Sequence, residues 1–327
     1  LPLKIHVISQ VRLDRIAGGA EFFISQLPKF FSEVEYTFPS KESGNSAEYL
    51  RAKEAWNIFY GRKENMDCDA ILTLGLGGWA APKNLPIPRI NVFQGNWFGF
   101  RDHCYHPLQK SWWAITLRKI RYEKLSGRNA INIAPSHFIR AILKKEGMDN
   151  INVVHNAPNV KTVAKPESAE KKVIFVGRAT REKGFGIFVK TAILNPDIQF
   201  TAVLFGKNTV KNLPENIQVI RDLPHHEMGE IYSQADVLLF PSRFEGNSYT
   251  VLEAFASGLP VIGTPVGLFP ELRDFPGIMV NKWKAQRFSS ALKEVRREEY
   301  SPADFLQMNF SPETVKAEWG NALRDLL

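Results

Sequence analysis

Cysteine is nearly missing from this sequence: its 327 residues hold two, Cys68 and Cys104. Two thiols cannot build a disulfide framework, and their scarcity fits a reducing, cytoplasmic compartment. Both read as small apolar fillers rather than nucleophiles. No CxxC pair and no His/Cys cluster points to a metal site. No run approaches the ~18 consecutive apolar residues of a membrane span. The opening LPLKIHVIS reads as a strand rather than a signal peptide, although it begins at Leu1 rather than Met. No internal repeat or low-complexity tract stands out, which sets aside a repeat architecture. Acid is scarce in one region. Between Arg101 and Lys145 there are ten Lys/Arg and only Asp102 and Glu123 as acids, so the whole net charge of +8 falls there.

What is present describes an ordinary globular chain, 44% hydrophobic and 23% charged, with length for about two domains. Strand-like runs alternate with helical ones, the pattern of parallel sheets covered by helices. In the first half, 4–9, 70–74, 89–93 and 130–134 read as strands, and 20–31, 48–60 and 136–146 as helices. A second set has strands at 173–176, 200–205, 217–220, 237–240 and 261–263, with helices at 185–193, 226–233 and 248–257. Between them, 156–172 is rich in Pro, Lys, Glu and Ala without periodicity and reads as an exposed linker. The expected division is 1–158, 159–310 and a final helix in 311–327, opened by Ser-Pro-Glu, with Val315, Trp319, Leu323 and Leu326 near one face.

The most informative segment is 240–272, FPSRFEGNSYTVLEAFASGLPVIGTPVGLFPEL. Its apolar opening is the end of a buried strand stopped by Pro241. Gly246 and Asn247 allow a tight turn, and Asn247 or Ser248 is placed to cap the helix that follows. Gly258 stands where a helix C-terminus favours a left-handed residue. Glu245 therefore lies in a loop at the carboxyl end of a strand, where open α/β sheets bind ligands, and Glu253 lies about two turns into the helix. Amides at a helix start suit a phosphate. Carboxylates beside an anion site suit a nucleotide whose sugars offer paired hydroxyls. Two other stretches suit anions: Gly18–Gly19 opening a helix after the first strand, and VGRATREKG at 176–184, with Arg178 and Lys183 in a loop after a strand.

At these residues the chain resembles the retaining glycosyltransferases of family 4, whose signature is a pair of glutamates separated by seven residues, here Glu245 and Glu253. The surrounding PSRFEG, LEAFASGLPVIGT and VG..PEL follow the same pattern. The resemblance implies a GT-B fold, two Rossmann-like domains facing a cleft, with the final helix crossing back to the first. It implies a sugar moved from a nucleotide-diphospho sugar, UDP- or GDP-linked, to an acceptor hydroxyl with the anomeric configuration kept. That donor is a co-substrate, and neither cofactor nor metal is implied.

Carried over by position, Glu253 meets the ribose hydroxyls and Glu245 the transferred sugar. Arg178 and Lys183 neutralise the diphosphate, and Gly18 and Gly19 face it. Asn247, Ser248 and Tyr249 meet phosphate or sugar, Gly267 lies near the donor, and the stretch from Arg221 to Leu223 passes the base. One departure is visible: many relatives place a histidine after the strand at 89–93, where this chain has Gln94. Gln bonds a hydroxyl but exchanges no proton near neutral pH. His103 and His106 follow closely, either as substitutes or as structural residues. Attack from the front face, with the leaving phosphate taking the acceptor's proton, tolerates Gln94.

The acceptor is expected to be a glycan, a lipid-linked sugar or a small molecule in cell-envelope synthesis. Within the basic region, 109–125 (QKSWWAITLRKIRYEKL) has helical spacing, with tryptophans among Lys110, Arg118, Lys119 and Arg121. That is how a helix lies on an anionic bilayer at the inner face of a membrane. A core helix with a merely basic polar face accounts for the same residues. Two rivals are an epimerase or hydrolase on the same fold, and a non-enzymatic binder using the basic stretch. Nucleic acid is not an expected partner.

Overall fold

The computed structural model describes residues 1–13, 19–40, 47–61, 67–160, 163, 171–206, 208–272, 277–280, 282–295 and 310–327. The chain divides into two compact units, Leu1–Asn156 with Pro312–Leu327, and Ala157–Ser311.

The first unit holds six strands: β1 (Lys4–Ile8), β2 (Glu33–Thr37), β3 (Ala70–Leu74), β4 (Arg89–Val92), β5 (Ile131–Ala134) and β6 (Ile151–Val153). They form one parallel sheet in the order β2-β1-β3-β4-β5-β6. Strand β3, AILTL, is buried at every position, as a central parallel strand covered on both faces must be. Helix Glu48–Tyr60 packs Ala55, Trp56 and Phe59 against Ile8 of β1 and Ile71 of β3, and Trp56 also donates to the Gly77 carbonyl at 2.9 Å. The C-terminal helix Pro312–Ala322 packs in this same unit. Val315, Trp319 and Leu323 are buried, with the Trp319 ring 5.3 Å from Phe31. Glu318 fixes it further by accepting from the His155 amide and pairing with that ring's Nδ1, each at 2.8 Å.

The second unit holds β7 (Lys172–Gly177), β8 (Gln199–Leu204), β9 (Ile217–Arg221), β10 (Val237–Phe240), β11 (Val261–Gly263) and β12 (Gly277–Met279). These too are all parallel, in the order β12-β11-β10-β7-β8-β9. Helix Phe185–Ile193 closes one face with Phe185 and Phe188, which meet Phe175 and Phe200 at 5.2–5.6 Å between centroids. Each fully buried Phe contributes about 1.5–3 kcal/mol. The winding reverses beside β7. The chain runs out through β8 and β9, then returns to β10 on β7's other side. The carboxyl ends of β7 and β10 therefore lie side by side at the point where the strand order reverses, which is where such sheets bind ligands.

Several elements depart from expectation for local reasons. Strand β2 (EVEYT) is an edge strand whose glutamates hide the apolar run, and β6 has three residues. Helix Trp97–Cys104 contains Gly99 yet forms because the Asn96 side chain caps the Gly99 amide at 2.6 Å. The helix expected over 20–31 stops at Gln26, and a 3-10 turn with Pro28 follows. The helix expected over 109–125 is present as one uninterrupted run from Lys110 to Gly127, with a π-helical stretch at Ile115–Ile120 between the α-helical Lys110–Ala114 and Arg121–Gly127. Most of the expected linker, and Gly18, lie outside the described residues. Among the described residues no helix is long and apolar enough to cross a membrane.

Candidate active site

The loop after β7 carries Arg178 and Lys183 and ends at Gly184, which starts helix Phe185–Ile193 with φ +74°. A Cβ at Gly184 would stand 2.0 Å from the Pro241 carbonyl oxygen. Only glycine lets this loop press against the one that follows β10. The Arg243 amide donates to the Glu182 carbonyl at 2.8 Å and joins the two backbones. Trp283 holds the far side, donating to the Pro241 carbonyl at 2.6 Å with the Arg243 guanidinium 3.7 Å above its ring.

This contact brings together the two residues singled out from different motifs. Lys183 Nζ donates to Glu245 Oε1 at 2.6 Å, and Ser242 Oγ donates to the same oxygen at 2.8 Å. The Glu245 side chain is 11% exposed and that of Lys183 27%, so the pair is largely desolvated yet reachable. Behind it, Thr264 Oγ1 donates to the Ser242 carbonyl. Gly267, at φ +62°, leaves room that a Cβ would take 3.0 Å from Glu245 Cβ. Arg178 is exposed, and among the described residues its guanidinium has no side-chain partner.

Glu253 sits in helix Tyr249–Ala256 and is buried, at 4% exposure. His225 Nε2 lies 2.7 Å from its Oε1, and the Tyr232 hydroxyl donates to its Oε2 at 3.2 Å. Burial, with the Glu253 charge added, pushes the Tyr232 phenol well up, so it stays a neutral donor. The same causes raise Tyr249. Ser248 occupies the N-cap position but makes no side-chain cap bond, contrary to the expected cap. Gly258 has φ +66° just beyond the helix end, as its position requires. Arg221 ends β9 exposed. Asp222 turns the chain at φ +48°, partly buried Leu223 follows, and His225 then reaches Glu253. His225, Tyr232 and Ser242 went unnoticed in the sequence. Ser242 is the serine of the PSRFEG motif itself and His225 follows the 221–223 stretch, whereas Tyr232 carries no such signal.

In the first unit, Gly19 opens helix Gly19–Gln26. Gln94 follows β4 and exchanges two side-chain hydrogen bonds with Asn156, at 3.1 and 2.9 Å. His103 is on the last turn of helix Trp97–Cys104, its ring 5.6 Å from Phe138. Six residues of helix rise separate it from Trp97, about 9 Å.

The family model described as "Glycosyl transferases group 1" matches residues 170–298. A GDP-mannose-dependent alpha-mannosyltransferase of Corynebacterium glutamicum is 31% identical over 207 residues, 59% of this chain and 49% of that protein. The O-antigen chain mannosyltransferase RfbU of Salmonella typhimurium is 23% identical over 46% of this chain and 45% of its own length. The chain thus spans about half the length of the curated relatives it matches. Among solved structures, a sucrose-phosphate synthase of Thermosynechococcus elongatus superposes with a TM-score of 0.79 at 17% identity, covering 99% of each chain. HepE of Anabaena, crystallised with UDP-glucose, gives 0.72 at 13% identity over 99% of this chain and 100% of its own. The fold is GT-B.

Proposed function

We propose, from the premise that residues 170–298 belong to the glycosyl transferases group 1, that this chain is a retaining glycosyltransferase using a nucleotide-diphospho sugar. The observation that carries the reading is the Lys183–Glu245 pair where the β7 and β10 loops meet, with Glu253 buried on the helix that follows. The named relatives include a GDP-mannose-dependent enzyme and a protein crystallised with UDP-glucose, which supports a donor of this class.

In this reading Glu253 accepts hydrogen bonds from the ribose hydroxyls. His225 and Tyr232 fix its carboxylate in advance, so little ordering is left when the nucleotide arrives. Lys183 has three donor protons and can keep Glu245 while donating to the diphosphate. Arg178 adds a second cation. As the bond from C1 to the diphosphate breaks, negative charge grows on the leaving oxygens, and fixed cations stabilise it most at that point. The acceptor oxygen bonds to C1 from the same face, and its proton passes to the leaving phosphate. Two protein cations supply the charge that a divalent metal supplies elsewhere, so the reaction proceeds without one. Glu245, held by Lys183 and Ser242, faces the transferred sugar. Gln94, after β4, can bind a hydroxyl but moves no proton near neutral pH. The acceptor is a glycan or lipid-linked sugar of the cell envelope, in line with the O-antigen relative.

The test is a thermal-shift panel of UDP- and GDP-sugars, followed by turnover with the stabilising donor. A ligand at 100 times its Kd stabilises by about 2.7 kcal/mol. Transfer to an acceptor with retained configuration in EDTA is the expected result. Free or isomerised sugar alone, or activity only with added manganese, overturns it.

A further inference from the structure

The five cations from Arg101 to Arg121 divide into two sets. Lys119 donates to Glu48 at 2.8 Å and lies 4.4 Å over the Trp97 ring. Arg101 is held by Asp102 and Glu146 and covers Trp112 at 4.9 Å. These bind the fold together and are not the surface cations that the sequence suggested. Lys110, Arg118 and Arg121 are exposed.

Apolar side chains of unusual exposure stand among those three. Leu108 is 89% exposed, Trp113 54% and Leu117 68%. Exposed leucines are ordinary one by one, but these three fall within ten residues beside three cations. The local structure fixes them outward. The turn before the helix is tied by the His106 amide to Gln109 Oε1 at 2.9 Å and the Gln109 amide to the His106 carbonyl at 2.8 Å. Ile115 and Ile120 are buried and set the inner face of the π-helical segment. Trp113 and Leu117, four residues apart, share a side. The stretch from Leu108 to Arg121 contains no acid; the nearest acids along the chain are Asp102, paired with Arg101, and Glu123, which is buried.

We propose that this face, from Leu108 to Arg121, docks on an anionic lipid bilayer. Trp113 and Leu117 insert at the headgroup boundary while the three cations meet anionic headgroups. The face lies along the surface and does not span it. Apolar side chains flanked by cations, with no acid among them, match an anionic interface on both counts. Each cation near such a surface strengthens binding roughly fivefold, and three together about a hundredfold.

Sedimentation of the full chain with vesicles tests this without donor or acceptor, so its outcome is independent of the proposed reaction. Binding to phosphatidylglycerol/phosphatidylcholine vesicles should exceed binding to pure phosphatidylcholine at least tenfold and weaken with salt. Trp113→Ser with Leu117→Ser should reduce it at least tenfold, as should Lys110→Gln, Arg118→Gln and Arg121→Gln together. All these positions are exposed, so unchanged circular dichroism melting separates lost docking from lost folding. Equal binding to both vesicles, binding to neither, or wild-type binding by folded variants overturns the proposal. Binding to single-stranded RNA with none to vesicles overturns it too and assigns the face to nucleic acid.

Discussion

Lys183 Nζ stands 2.6 Å from Glu245 Oε1, joining two loops whose sequence separation is 62 residues. Neither charge is fully hydrated, so removing one leaves the other in a poorer environment. The proposed roles make the pair a unit: Lys183 cannot be held at the phosphates without Glu245. Lys183→Ala and Glu245→Ala should each lower kcat about 100-fold, while the double variant should lose no more than about tenfold beyond either. A double variant showing the full product of the two losses would mean that the residues act independently.

Glu253 gives a binding test separate from turnover. Loss of a charge-assisted contact costs ~1.5–3 kcal/mol, so Glu253→Ala should weaken nucleoside diphosphate binding on the order of 10–100-fold. His225→Ala and Tyr232→Phe should weaken it in the same direction by about 3–10-fold, because they orient the carboxylate without touching ribose. Calorimetric titration reads all three. Unchanged affinity in folded Glu253→Ala removes the ribose assignment.

Strands β3, β10 and β11 lie where the apolar runs placed them, since a buried parallel strand announces itself as a short unbroken apolar run. The edge strand β2 does not, because its alternate positions carry glutamates. Glu245, Glu253 and Lys183 stood out through motif spacing. The contact between Lys183 and Glu245 did not, because it depends on the order β10-β7, which brings distant loops together. Tyr232 is silent for the same reason: its partner is 21 residues away and its own neighbourhood carries no motif, while His225, 28 residues from Glu253, is signalled only by following the 221–223 stretch.

Arg178 and Gly184 share a loop and should respond in opposite ways. Arg178 is exposed, so Arg178→Ala should leave stability within about 0.5 kcal/mol. By losing a transition-state cation, it should still lower kcat about 100-fold. Gly184→Ala must relieve a 2.0 Å approach to the Pro241 carbonyl at a left-handed φ. It should lower unfolding free energy by more than ~2 kcal/mol. Urea denaturation beside steady-state kinetics distinguishes the two, and a stable, active Gly184→Ala would refute the close approach of the loops.

Glu123 places a pH dependence in the first unit. Its side chain is buried and its Oε2 accepts from the Trp97 amide at 2.7 Å, at the start of helix Trp97–Cys104. Burial drives its pKa well above 4.5, and Glu48 adds to the rise, while the amides of Trp97 and Phe98 and the Lys119 charge oppose it. A carboxyl that holds its proton more tightly folded than unfolded makes the native state bind more protons over that interval. Stability is then greatest below the unfolded value of about 4.5 and declines as pH rises toward the folded one. Glu123→Gln keeps an acceptor for the amides and removes the titration. Its melting temperature relative to wild type should therefore climb between pH 5 and pH 8. If the amides and Lys119 outweighed burial, the folded pKa would fall below the unfolded one. Wild-type stability would then rise from pH 3 to pH 5 relative to Glu123→Gln, the opposite slope in the same melting series.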